Sequence, residues 1–89
     1  MRESKIEQYL IDAVASLGGE TRKVQWIGRN GAPDRVVWLP DGRQLWIELK
    51  QFGKTPSPVQ LREHARMARC GQHVHVVDSI DAVEKVLGV

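Results

Sequence analysis

The chain has 89 residues, with 13 Lys and Arg against 11 Asp and Glu and a formal net charge of +2 at pH 7. That length bounds residues 1–89 to a single domain with one modest core, and no stretch reads as a signal peptide or membrane span. The lone Cys70 excludes an internal disulfide and fits a reducing cytoplasm, while a sequence pI near 9.0 does not by itself name a partner.

In chain order, residues 3–17 read as an amphipathic helix with Ile6, Leu10, Ala13, Val14 and Leu17 on one face, ended by Gly18-Gly19. Glu3 falls inside the apolar arc and Glu7 at its edge. Acids in a first turn also suit the helix dipole with no further role. A strand is predicted over 22–27, followed by the loop Gly28-Arg29-Asn30-Gly31, whose glycines permit close backbone approach.

Strands 34–39 and 44–50 flank Pro40-Asp41-Gly42. Pro40 presets φ in the turn and Gly42 supplies a left-handed residue, which specifies a three-residue hairpin loop with a glycine bulge. Leu39 then faces Arg43, Trp38 faces Gln44, Val36 faces Trp46, and Asp34 faces Glu48. Lys50 shares that sheet face, because side chains alternate along a strand. A two-residue loop, Asp41-Gly42, is the competing arrangement, and it sends Asp34 to the wrong face.

Two carboxylates at cross-strand distance repel, and a divalent cation removes the conflict. Carboxylate oxygens are hard ligands suited to Mg²⁺, and the Leu49 backbone carbonyl beside them is a further candidate. Lys50 would then be a cation aimed at developing negative charge. The competing interpretation is a structural salt bridge. It is weakened because these charges sit at one end of an apolar face carrying Val36, Trp38 and Trp46.

A helix over 58–70 follows, stopped by Gly71, with Val59, Leu61, Ala65 and Ala68 expected to face the core. Arg62, His64, Arg66 and Arg69 are expected on the outer flank. Ser57-Pro58-Val59-Gln60 is a capping box. The irregular stretch from Phe52 to Pro56 is expected to form a mobile lip beside Lys50. A strand over 73–77 is expected to join the hairpin in parallel through the helical crossover, and Ser79 caps a last helix over 79–87. His73 and His75 lack a second ligand pair at zinc spacing and read as ordinary strand positions.

Pro33-Asp34 with Glu48-Leu49-Lys50 matches the PD-(D/E)xK nuclease signature. Together with Asn30-Gly31-Ala32-Pro33-Asp34, Trp46-Ile47-Glu48-Leu49-Lys50 and Ser57-Pro58-Val59-Gln60, it resembles the VRR-NUC branch, from Glu3 to about Val77. The resemblance implies a restriction-endonuclease-like α/β core, αβββαβ with a terminal helix and a central mixed sheet. It also implies a Mg²⁺- or Mn²⁺-dependent DNA nuclease of the small phage or bacterial type, similar to Holliday junction resolvases. In that pattern Asp34, Glu48 and the Leu49 carbonyl hold the metal. Glu3, which fits the spacing better than the alternative Glu7, binds the metal through water or positions the nucleophile, Lys50 stabilises charge, and Gln60 lies near the lysine. Arg29, Asn30, Lys54, Arg62 and Arg66 are the candidate DNA contacts.

The expectation is therefore an endonuclease acting on branched DNA as a homodimer in the cytoplasm. The rivals are a flap-type or nicking nuclease, and a non-catalytic DNA-binding or dimerisation module whose acids are only structural.

Overall fold

The computed structural model describes residues Met1–Val89. The elements run α1 (Glu3–Ser16), β1 (Glu20–Lys23), β2 (Arg35–Trp38), β3 (Gln44–Leu49), α2 (Pro58–Arg69), β4 (Val74–Val77) and α3 (Ile80–Leu87). The αβββαβα order is the one expected. The four strands form one mixed sheet in the order β1-β2-β3-β4, antiparallel except for the parallel β3–β4 pair reached through α2. No helix is long and apolar enough to cross a membrane.

The hairpin closes as the Pro-Asp-Gly chemistry requires. Gly42 N–H donates to the Leu39 carbonyl at 2.9 Å, Leu39 N–H donates to the Arg43 carbonyl at 3.0 Å, and Gly42 has φ of +94°. The left-handed glycine absorbs the extra residue and sets the register. Trp38 pairs with Gln44, Val37 with Leu45, Val36 with Trp46 and Arg35 with Ile47.

Alternation along β3 then divides the molecule into layers. Leu45, Ile47 and Leu49 pack with Val37, Leu39 and Val77 against Ile6, Leu10 and Val14 of α1 and Val83 and Leu87 of α3. This is the apolar core, and its burial is the main favourable term in the fold. Trp46 and Glu48 point to the opposite face, toward α2.

Three expectations are corrected. The predicted strand 22–27 is displaced: β1 pairs from Glu20 and ends at Lys23. Its partner strand stops at Arg35, because Pro33 has no N–H to continue a ladder. Beyond Lys23 only Val24 N–H finds a bond, to the Asp34 carbonyl at 2.9 Å, and the chain leaves the sheet.

The second correction concerns α2. Val59, Leu61, Ala65 and Ala68 are exposed rather than buried, and His64 is not on the outer flank. The side turned inward is polar: Glu63 is buried and Gln60, His64 and Met67 are half-buried. The reason lies in the opposing surface. The sheet presents a buried carboxylate at Glu48, and a buried charge requires hydrogen-bonding neighbours that the apolar face of α2 lacks.

The third correction concerns the lip after Lys50, which is tied down. Gly53 N–H donates to Asp78 Oδ2 at 3.3 Å, Lys54 N–H to the Gln51 carbonyl at 2.9 Å, and Phe52 N–H to the Met1 carbonyl at 3.4 Å.

Candidate active site

The candidate residues meet where β2 and β3 part company. Asp34 is the first residue beyond the paired stretch, next to Arg35, and it stays bound to β3 in two ways. Its N–H donates to the Ile47 carbonyl at 2.9 Å, and its Oδ2 accepts the Leu49 N–H at 2.7 Å. The carboxylate thus replaces the backbone acceptor that β2 would have offered had it continued. Both bonds straddle Glu48, so Asp34 is held across from it.

Glu48 is almost wholly buried, at 1% exposure. Its surroundings raise its pKa to about 8, first through burial, then through the negative charge and hydrogen bonding of Asp34, with a smaller push from Glu3. Lys50 acts in the opposite direction, its Nζ lying 3.7 Å from Glu48 Oε2. Gln60 Nε2 donates to Glu48 Oε2 at 3.0 Å, and His64 Nε2 lies 3.4 Å from Oε1. Burial, followed by the charge of Lys50, lowers the His64 pKa and favours its neutral form.

Gln60 reaches Glu48 while completing its own helix cap. Its Oε1 accepts the Ser57 N–H at 2.9 Å, and its own N–H donates to Ser57 Oγ at 3.2 Å. The cap fixes the first turn of α2, and the first turn aims the amide. His64 lies one turn further along the same face. This differs from the outer-flank position expected for His64, and its spacing of four from Gln60 is the sequence signal that puts the two on one face.

A cleft of about 360 Å³ opens on the other side of the acid pair, lined by Glu3, Glu7, Lys23, Gln25, Asp34 and Leu49. The two helix carboxylates differ. Glu7 Oε2 is engaged by Arg35 at 2.8 Å, and that guanidinium also donates to Thr21 Oγ1 at 3.1 Å. Glu3 is exposed and forms no ion pair. Only Glu3 is therefore free to act on something entering the cleft.

The donor set suits a hard divalent cation. Two adjacent carboxylates, one of them pushed toward protonation, are relieved by a positive charge between them. No group of three or more His, Cys, Asp or Glu side chains is placed to hold a metal ion, so an ion here would rest on the two carboxylates and complete its shell with water and phosphate oxygens.

The expected DNA contacts divide. Lys54, Arg62 and Asn30 are exposed. Arg66 Nε bonds Glu63 Oε1 at 2.9 Å, and Arg29 Nε lies 3.7 Å from the same oxygen. Trp26 Nε1–H also donates to Glu63, at 2.8 Å. These cations, with the indole donor, hold Glu63 ionised, its pKa below the usual carboxylate range. Gly31 serves α2 rather than an outside ligand: a Cβ there would lie 2.9 Å from the Val59 carbonyl oxygen and from Glu63 Cβ. His73 and His75 meet edge-to-face, with ring centroids 4.5 Å apart.

No protein-family model matches the chain. It is 46% identical over 81 residues to a protein named "Putative nuclease p44" from Acyrthosiphon pisum secondary endosymbiont phage 1, covering 91% of this chain and 87% of that one. It also superposes on a solved structure described as a VRR_NUC domain with a TM-score of 0.88 and 39% identity, over 97% of this chain and 94% of the other.

Proposed function

This chain belongs to the VRR-NUC family of nucleases, and from that premise we propose that it is a Mg²⁺- or Mn²⁺-dependent endodeoxyribonuclease that cuts branched DNA as a homodimer. The observation that carries this reading is the pairing of Asp34 with a buried Glu48, with Lys50 beside Glu48 and the unpaired Glu3 on the adjoining cleft.

Asp34, Glu48 and the Leu49 carbonyl would hold the cation, with Glu3 reaching it through water. When bound, the cation supplies charge neutralisation at the phosphate and makes a bound water more acidic. The chain's own groups do the rest. Gln60 and His64 hold Glu48 from its two oxygens, so its orientation does not depend on solvent. Lys50 presents a positive charge where the phosphate oxygens gain negative charge. Glu3 orients the attacking water and accepts its proton as the P–O bond to the leaving oxygen breaks. Arg29, Asn30, Lys54, Arg62 and Arg66 flank the path of the phosphate backbone, with Lys54 and Arg62 the most available of the cations.

The homodimer reading draws on the outer stripe of α2. Leu61 is 52% exposed, and Ala65 and Ala68 continue the same exposed line. An apolar stripe turned to water is better covered by a second copy. Two copies related by a twofold axis would bring two sites to two strands.

The test is incubation of labelled four-way junction, flap and plain duplex DNA with Mg²⁺. Symmetric cutting of the junction is the expected result. Cutting of flaps alone makes the enzyme a flap nuclease, and binding without cleavage of any substrate makes the acid pair structural.

A further inference from the structure

Ile27 is 100% exposed, an unusual position for a branched aliphatic side chain. Its loop is not loose. On one side Val24 N–H is bonded to Asp34 at 2.9 Å, and Trp26 stacks edge-on to Trp46, with centroids 5.9 Å apart, while donating to buried Glu63. On the other side Gly31 is seated against α2. The loop is clamped at both ends and Ile27 stands out from its tip.

We propose that Ile27 is a wedge that enters the base stack of DNA next to the branch point. This rests on the nuclease reading above and adds how the substrate is recognised.

Three observations favour nucleic acid over a protein partner. First, Ile27 sits between the half-buried Trp26 and Gly28, the next residues along the chain are Gln25, Arg29 and Asn30, and the nearby Lys23 is exposed. A protein interface has a contiguous apolar centre depleted of charge. A single apolar side chain flanked by cations and amides is the pattern of proteins that unstack a base step. Second, the loop is continuous with the candidate active site, since Gln25 lines the cleft with Asp34 and Glu3. Two residues of extended chain span about 7 Å, so Ile27 stands no further than that from Gln25 at the cleft wall. Third, the tryptophans are engaged elsewhere: Trp38 Nε1–H with Gln44, Trp46 Nε1–H with Gln72, and Trp26 with Glu63. Ile27 is the large apolar side chain that stands out furthest, exposed in full where Phe52 on the lip is 65% exposed.

The test uses a synthetic four-way junction carrying 2-aminopurine at the paired positions beside the branch, with Ca²⁺ in place of Mg²⁺ and occupancy followed by anisotropy. Wild type and Ile27→Leu should raise the fluorescence severalfold, because an unstacked 2-aminopurine is brighter. Ile27→Ala should lose most of that rise at matched occupancy. Ile27 touches no core residue, so the variant folds. An equal rise with Ile27→Ala overturns the wedge. So does a change in sedimentation mass caused by that substitution, which would make Ile27 a contact between copies. A wild type that unstacks the base but never cuts with Mg²⁺ or Mn²⁺ overturns the nuclease reading and supports the wedge. A wild type that cuts with no fluorescence change overturns the wedge alone.

Discussion

Gln60 holds Glu48 with the same amide that caps its own helix: Nε2 donates to Glu48 Oε2 at 3.0 Å while Oε1 accepts the Ser57 N–H. A local helix-start motif and a contact to a buried acid are one piece of geometry. Gln60→Ala should lose both, lowering the unfolding free energy by about 1 kcal/mol. Gln60→Glu can keep the capping box but sets a second carboxylate against Glu48. It should nearly preserve the cap while cleavage falls at least about tenfold. Thermal melts beside single-turnover cleavage separate the two effects.

Lys50→Ala should reduce the cleavage rate by about 10²- to 10³-fold, the range for removing one preorganised group that stabilises developing charge. Folding and DNA binding should be largely retained. A variant that cuts at the normal rate would remove Lys50 from the active site.

Asp34 has a structural duty as well as a proposed chemical one, since its Oδ2 accepts the Leu49 N–H. Asp34→Asn keeps an acceptor and should fold with near-normal stability but no cleavage. Asp34→Ala leaves that N–H without its partner and should cost roughly 1–3 kcal/mol in addition. Urea titration of the two variants side by side distinguishes these costs.

Glu48 makes the metal-free protein sensitive to pH. Its folded pKa of about 8 lies well above the 4.5 of an ordinary glutamate. Between these two values the unfolded chain releases a proton that the folded chain retains, so stability falls as pH rises through that window. Glu48→Gln should flatten the dependence and raise the melting temperature in EDTA at pH 7 to 8. Each kcal/mol recovered is worth about 4–8 °C in a chain of this size. Mg²⁺ should raise the melting temperature of the wild type and leave the variant almost unchanged. A flat wild-type profile between pH 5 and 8 would contradict the buried-acid picture.

Gly31 has φ of +94°, and a Cβ there would meet both the Val59 carbonyl oxygen and Glu63 Cβ. Gly31→Ala should destabilise the fold by about 1–3 kcal/mol. It should also loosen the Trp26–Glu63 contact, which tryptophan fluorescence would report. An unchanged melt and emission spectrum would show that the loop is not clamped there.

What the sequence determined by itself was local and periodic. Pro40-Asp41-Gly42 set a bulged loop, the loop set the register, and the pleat carried that register four residues back to put Asp34 across from Glu48. Ser57 to Gln60 announced the start of α2 for the same reason: each depends on neighbours within a few residues. Other features required the assembled molecule. The end of β1 depended on where β2 stopped, so residues 24–27 left the sheet and exposed Ile27. The rotation of α2 depended on what lay beneath it. Its apolar stripe suggested one orientation, but a buried carboxylate on the sheet required Gln60 and His64 to face inward. Turn chemistry acts through adjacent residues, whereas the choice between two helix faces is made by the free energy of burying each against a particular surface.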